Sequence, residues 1–315
     1  MTTKITSFDE LEIPLNLLKG IYANGWEVPS PVQQVGIIPV LKGNQCIIQA
    51  QSGTGKTGTF SIASLSKIDP TVESCQCIIL SPTREIADQI TEVMETLSHF
   101  MEDVNISLVR GNIKLNNETV NKSQVIVGTP GRILDMIQRG VINMKTLKLF
   151  ILDEADEILN YGFNDQIIEI FQYVHEEAQI AIYSATMPNS ILRISEQFMD
   201  NPIKILLKKD DLTLEGIKQF YIKLESETDK IEVIHDLYKC FTIEQSIIYC
   251  STKKKVEWLS QKLDEVDFPT SKIHGDMEQK DRDSVMKSFR AGKTRILITT
   301  DLLARGIDVQ HVCLV

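Results

Sequence analysis

The stretch Cys46-Ile-Ile-Gln-Ala-Gln-Ser-Gly-Thr-Gly-Lys-Thr57 decides the fold. Cys46–Gln49 reads as a short buried strand. Ala50 to Thr57 then fits the pattern A/G-x-x-x-x-G-K-S/T, and the amphipathic run Thr57–Lys67 reads as a helix. Strand, glycine-rich turn and helix in that order build a phosphate cradle. Gly53 and Gly55 let the backbone wrap around an anion, with Ser52 and Thr54 completing the turn. The helix start offers unpaired N–H groups and the positive end of its dipole. Lys56 is placed to meet β- and γ-phosphates, and the Thr57 hydroxyl to ligate Mg²⁺.

Working outward, further apolar runs alternate with helical patterns. Strands are expected at Gln76–Ser81, Ile106–Val109, Gln124–Gly128, Leu147–Asp153 and Ile180–Ser184, with helical stretches such as Glu85–Phe100 and Asn164–Val174 between them. Continuous Ile/Val/Leu strands separated by helices imply an α/β fold with a parallel sheet covered on both faces. The polar run Lys208-Lys-Asp-Asp211 interrupts this texture, so residues 207–216 read as a linker between domains at 1–206 and 217–315. The alternation restarts with strands expected at Gln219–Lys223, Ser246–Cys250, Thr270–Ile273 and Arg295–Thr299. The last residues, His311-Val-Cys-Leu-Val315, resemble an interrupted strand, so the second domain is expected to be truncated.

A phosphate cradle needs an acid at the end of another apolar strand. Leu149-Phe-Ile-Leu-Asp153-Glu-Ala-Asp156 supplies it. Asp153 is placed to hold Mg²⁺ through water, and Glu154 to orient and deprotonate an attacking water. Together the two motifs predict an ATPase.

Composition bounds the alternatives. The chain has 315 residues, 43% hydrophobic and 24% charged, which supports a real core and excludes dominant disorder. The net charge is −10, and both halves are mildly acidic. Bulk attraction to nucleic acid is therefore excluded, and such a partner must be held by placed contacts. No apolar run approaches the ~18–20 residues of a membrane span. The start carries no apolar secretory core, so the expected compartment is the cytoplasm. Six cysteines form no C-x-x-C pair and read as buried reduced thiols.

The tetrad Asp153-Glu-Ala-Asp156 and its neighbours resemble the DEAD-box RNA helicases. Gly25-Trp-Glu-Val-Pro-Ser-Pro-Val-Gln33, with Phe8 seventeen residues before it, resembles the family's adenine-reading motif. The resemblance implies that Gln33 bonds the base edge and Trp26 stacks on its face. Pro82-Thr-Arg-Glu85 and Thr129-Pro-Gly-Arg132 match first-domain RNA motifs. Ser184-Ala-Thr186 matches the motif coupling hydrolysis to domain closure. Ile247-Ile-Tyr-Cys-Ser-Thr252, Gln279-x-x-Arg282 and Thr299-Thr-Asp-Leu-Leu-Ala-Arg-Gly-Ile-Asp308 match later motifs.

The family implies two RecA-like domains in tandem, ATP and Mg²⁺ as cofactors, and Ser184 and Thr186 in the catalytic apparatus. It adds Gly306 and Asp308 to the nucleotide site. It implies sequence-blind RNA binding through Pro82, Thr83, Arg84, Thr129, Gly131, Arg132, Thr252 and Thr299. Leu18-Lys-Gly-Ile-Tyr22 and Leu212–Phe220 look closest to the translation initiation factor four-A subgroup. That implies initiation scaffold proteins as partners and a monomeric state.

Two departures stand out. Val109-Arg-Gly-Asn112 carries Arg110 where the family usually has the first of two glycines. The side chain is expected to alter the RNA grip, by crowding or by an added phosphate contact. The family's His-Arg-x-Gly-Arg-x-x-Arg motif does not occur before Val315. A second expectation follows, a catalytically impaired fragment that binds RNA or a partner protein.

Overall fold

The structure is a computed structural model describing residues 4–111, 116–206, 218–226, 229–266, 268–303, 309 and 311–315. It divides into two compact units, Met1–Thr213 and Leu214–Val315.

In the first unit, helices α1 (Leu15–Ala23) and α2 (Pro31–Leu41) precede strand β1 (Cys46–Gln49) and helix α3 (Lys56–Ser66). Then follow β2 (Cys77–Leu80), α4 (Arg84–Leu97), β3 (Ile106–Val109), α5 (Asn117–Lys122), β4 (Val125–Gly128) and α6 (Pro130–Gln138). The unit continues with β5 (Leu149–Leu152), α7 (Ala155–Asn160), α8 (Asn164–Phe171), β6 (Gln179–Ser184), α9 (Asn189–Phe198) and β7 (Ile203–Leu206). The seven strands form one sheet in the order β3-β4-β2-β5-β6-β1-β7, and every pairing is parallel.

Side-chain alternation along each strand builds two cores. Cys46, Ile48, Cys77, Ile79, Leu149, Ile151, Ala181 and Tyr183 face one way and pack under α1 to α4. Ile47, Ile78, Leu80, Phe150, Leu152, Ile180 and Ile182 face the other way and pack under α5 to α9. Neither face of the central strands meets water, which is why their sequence is apolar without a break.

The second unit carries α10 (Asp229–Cys240), β8 (Gln245–Tyr249), α11 (Lys253–Asp264), β9 (Thr270–Ile273), α12 (Gln279–Arg290), β10 (Ile296–Thr299) and β11 (Val312–Leu314). Its described strands form a parallel sheet in the order β11-β8-β10-β9. Ile247 and Leu297 pack toward α12, while Ile296 and Ile298 pack toward α11.

Three sequence expectations need correction. Gln219–Lys223 forms no strand, and Phe220 and Tyr221 are 87% and 92% exposed. Alternation makes a strand only when a neighbour supplies ladder hydrogen bonds, and none of the described strands pairs with this segment. Conversely, Ile203–Leu206 is a strand that its own pattern under-reports, because Lys204 interrupts the apolar run; its parallel pairing with β1 organises it. Finally, Cys46, Cys75 and Cys77 are buried thiols, but Cys240 and Cys313 are exposed at the margins of the second unit. The proposed linker, residues 207–216, lies outside the described residues.

Gly20 fixes how α1 meets α4. A Cβ at position 20 would stand 1.9 Å from the Leu97 carbonyl oxygen. The glycine costs helix propensity of about 1 kcal/mol, and the close approach of the two helices offsets it. Gly20→Ala is expected to lower stability by about 1–3 kcal/mol through overpacking. Gly131, on the first turn of α6, has nothing within 4 Å of a built Cβ. Gly131→Ala should leave the melting temperature unchanged or raise it, and thermal denaturation of the two variants checks the contrast.

Candidate active site

The strand order sets β5, β6 and β1 side by side, so their carboxyl ends form one continuous ledge. Open parallel sheets place ligands at such ends. The ledge is sewn together by backbone bonds: Ala50 N–H donates to Ser184 O at 3.0 Å, and Asp153 N–H donates to Leu80 O at 2.9 Å.

At the end of β1 the chain turns through Gly53 (φ +78°) and Gly55 (φ +100°) into α3. Both glycines occupy the left-handed region that L side chains rarely adopt. The turn leaves Ser52 and Gly53 exposed and Thr54, Gly55 and Thr57 partly exposed. Thr54 Oγ1 donates to Gln51 O at 2.7 Å and closes the loop on itself.

Lys56 opens α3 and is 4% exposed. Its Nζ donates to Glu154 Oε1 at 3.0 Å, joining the phosphate cradle to the end of β5. Ser52 Oγ donates to the same oxygen at 3.4 Å. Glu154 itself sits at φ +48°, a conformation costing a non-glycine residue roughly 1–2 kcal/mol. The kink ends β5, starts α7 and aims the carboxylate at Lys56.

Asp153 lies beside this pair and is 3% exposed. Its Oδ1 has no hydrogen-bond partner. Burial, reinforced by the Glu154 charge and opposed by Lys56, pushes its carboxyl up to about 7. A buried oxygen with no donor in reach, at a strand end beside a phosphate cradle, suits a hydrated divalent cation brought in with phosphates.

Asp156 is the residue the sequence reading leaves without a role. It is buried on the first turn of α7. Its Oδ2 accepts from Thr186 Oγ1 at 2.7 Å and from Thr186 N–H at 3.2 Å, while its own N–H donates to Ser184 Oγ at 3.3 Å. Thus Ser184 and Thr186, after β6, are tied to the acidic turn after β5. The signal was its spacing of three from Asp153, which returns the chain to the same side of the first turn.

Gln33 and Trp26 flank the cradle. The Ser30 N–H donates to Gln33 Oε1 at 2.8 Å, so Gln33 closes the start of α2. A Cβ at Gly58 would fall 2.5 Å from Gln33 Nε2 and 2.8 Å from the Trp26 ring, so a bare α3 surface seats both side chains. Trp26 is partly buried against the core, and Phe8 is fully buried, edge-on to Tyr22.

The first-domain RNA candidates gather along the neighbouring strand ends. Leu80 of β2 pairs with Gly128 of β4, which brings the starts of α4 and α6 together. Pro82 is buried; Thr83 Oγ1 accepts from Ile86 N–H at 3.3 Å and caps α4; Arg84 is its first residue. Thr129 precedes α6, Gly131 is exposed, and Arg132 bonds Asp135. In the second unit Thr252 caps α11, accepting from Lys255 N–H at 3.2 Å. Thr299 is fully buried at the end of β10, with its hydroxyl unpartnered. Gly306 and Asp308 lie outside the described residues.

A glycine cradle, its lysine and a buried acid pair on adjacent ends of a parallel sheet define a P-loop ATPase. The chain belongs to the DEAD/DEAH box helicase family, whose model matches residues 30–194, and the helicase conserved C-terminal domain matches residues 229–315. It is 53% identical over 311 residues to the ATP-dependent RNA helicase eIF4A of Neosartorya fischeri, covering 98% of this chain and 78% of that protein. It is 52% identical over 316 residues to the same-named protein of Chaetomium globosum, covering 99% and 79%. Among solved structures, Saccharomyces cerevisiae Dbp5 bound to RNA and ADP BeF3 superposes with a TM-score of 0.88 at 36% identity, covering 98% of this chain and 79% of that one. A DEAD box protein from the hyperthermophile Methanococcus jannaschii gives 0.64 at 33% identity, covering 98% and 84%.

The Asp153 environment carries a stability signature. Its folded carboxyl titrates at about 7 against an ordinary 3.8. Between those values the native state holds the extra proton, so stability falls as pH rises and the full cost is present above pH 7. Asp153→Asn removes that cost. Without nucleotide, the variant should melt higher than the parent at pH 8, and the gain should shrink toward pH 5; equal gains at both pH values would contradict the assignment.

Proposed function

We propose that this chain is an ATP-dependent RNA helicase that couples nucleotide hydrolysis to RNA binding and the separation of short duplexes. The observation that carries the reading is the buried Lys56–Glu154 pair beside the unpartnered Asp153 oxygen. One cation cannot serve a carboxylate and a triphosphate equally. Arriving β- and γ-phosphates draw Lys56 away, and Glu154 is left free to orient a water and take its proton.

Asp153 through water and the Thr57 hydroxyl would hold Mg²⁺, which neutralises charge on the phosphates when bound. The cradle Ser52–Thr57 wraps the phosphates with backbone N–H groups. Gln33 and Trp26 read the adenine by amide bonding and ring contact. Asp156 transmits the state of the acidic turn to Ser184 and Thr186 by three hydrogen bonds.

RNA is held by sugar and phosphate contacts from Arg84, Arg132, Thr83, Thr129 and Thr252, supported by Pro82 and Gly131; Thr299, fully buried, supports the end of β10 rather than touching RNA. Such contacts are blind to sequence and need only local positive charge on an acidic protein. The 52–53% identity to proteins named eIF4A supports a place in translation initiation, with initiation scaffold proteins as partners of a cytoplasmic monomer. No helix among the described residues is long and apolar enough to cross a membrane.

Steady-state hydrolysis of Mg–ATP, with and without single-stranded RNA, tests the proposal. RNA should raise the rate. Glu154→Gln should lower kcat by roughly 10²–10⁴ while retaining ATP binding, as expected for loss of a general base. RNA-independent turnover that survives the substitution would reject it.

A further inference from the structure

Gln49 closes β1, one residue before the phosphate pattern begins at Ala50, and that pattern makes no demand on it. β1 pairs with β6 in parallel as far as Gln49 opposite Ser184. Beyond that point both chains leave the sheet. One turns into the cradle, and the other continues through Ala185 and Thr186 toward α9. Ala50 N–H still reaches Ser184 O at 3.0 Å. The Gln49 side chain then extends the ladder by one residue: its Nε2 donates to the Ala185 carbonyl at 3.3 Å, across 136 residues of sequence. A carboxamide is chemically a peptide group on a flexible stem, so it can stand in for backbone where two strands diverge.

The turn Ser184-Ala-Thr186 is thereby held from both halves of the nucleotide site. On the β5 side, Asp156 accepts from the Thr186 N–H and hydroxyl and donates its own N–H to Ser184 Oγ. On the β1 side, Ala50 and Gln49 take the successive carbonyls of Ser184 and Ala185. Ala185 stands between the two grips. Thr186 is exposed, so hydrogen bonds rather than packing set where it stands.

We propose that Gln49 is a positioning residue: its carboxamide, bonded to the Ala185 carbonyl, makes the end of β1 the second anchor of the Ser184–Thr186 turn, so that nucleotide in the cradle bears on the same turn as the acid pair. The inference rests on the reading of that turn as the link between hydrolysis and RNA binding. In this role Gln49 touches neither phosphate nor RNA. Two anchors matter because the reaction engages both sides. Phosphates meet the cradle, and the attacking water meets the acidic turn. A turn tied to one side registers half of the site, whereas a turn tied to both registers whether the two are drawn together.

The test is a coupling measurement on the full chain. Kd for a fluorescently labelled oligouridylate is measured without nucleotide and with a saturating non-hydrolysable Mg–ATP analogue, and the ratio of the two is the coupling. Gln49→Met keeps the length of the side chain and removes the donor. It should lower the ratio about threefold to tenfold, the scale of one neutral hydrogen bond. Kd for the analogue alone and for RNA alone should stay within about twofold of the parent, a split that general damage to the fold would not give. Gln49→Glu, of the same length, sets a carboxylate against a carbonyl and should lower the ratio at least as far; it also covers the case of a Gln49→Met chain that does not fold. A parental ratio in both variants overturns the inference. So does a parental ratio with analogue binding weakened more than about twofold, the mark of a mere prop for the cradle. Combined with Thr186→Ala, Gln49→Met should cost less than about twofold beyond Thr186→Ala alone, because both act through one turn; the full product of the two losses overturns the inference. Thr186→Ala also separates the two levels. If it keeps the parental ratio, the reading of the turn as a link fails; if it lowers the ratio while the Gln49 variants do not, only the positioning role fails.

Discussion

A parallel sheet buried on both faces constrains everything else in the first unit. The backbones of its central strands pair with neighbouring strands, and their apolar side chains pack into one of two helical layers. The only places left for chemistry are the strand ends. All strands run one way, so their carboxyl ends share one edge, where the chain must turn and helices begin. Helix starts bring unpaired N–H groups, and turns bring glycines and left-handed residues. The phosphate cradle, the acidic turn and the starts of α4 and α6 all lie there because the sheet leaves them nowhere else.

At that edge the protein buries charge. Lys56, Asp153, Glu154 and Asp156 are each less than about a tenth exposed, which normally destabilises a fold. The arrangement limits the cost by pairing. Lys56 meets Glu154, and Asp156 takes two bonds from Thr186. Asp153 is the member left over, and its carboxyl shifts upward as burial and its neighbour demand. Strain at Glu154 and an orphaned Asp153 oxygen are what a site looks like when it is arranged for a ligand with charges of its own.

The second unit shows the same economy on a smaller described sheet. His274, just after β9, is buried with Nε2 against Glu257 Oε1 at 2.7 Å, which ties the strand end to α11. Lys253, Lys254 and Lys255 form an exposed first turn of α11, and Lys253 pairs with Asp276. That exposed turn is a solvated surface.

The sequence by itself determined the class of fold and the elements of the site. Period-two alternation and unbroken Ile/Val/Leu runs are local, and so are the glycines of a phosphate turn and an acid pair closing a strand. Each is written within about ten residues. The tertiary structure alone decided which ends became neighbours. The adjacency of β5, β6 and β1 follows from strand order, which no local pattern encodes. Asp156 acquired its role because β6 was inserted beside β5, and β7 became a strand because β1 offered it an edge. Gln219–Lys223 carried a strand pattern and stayed irregular, for want of a described neighbour. Arg110 pairs with Asp88, twenty-two residues earlier in the chain, and no local pattern encodes that pairing. Local sequence specifies what a segment can do, whereas hydrogen bonds and ion pairs between distant segments are decided by which surfaces the whole chain must bury together.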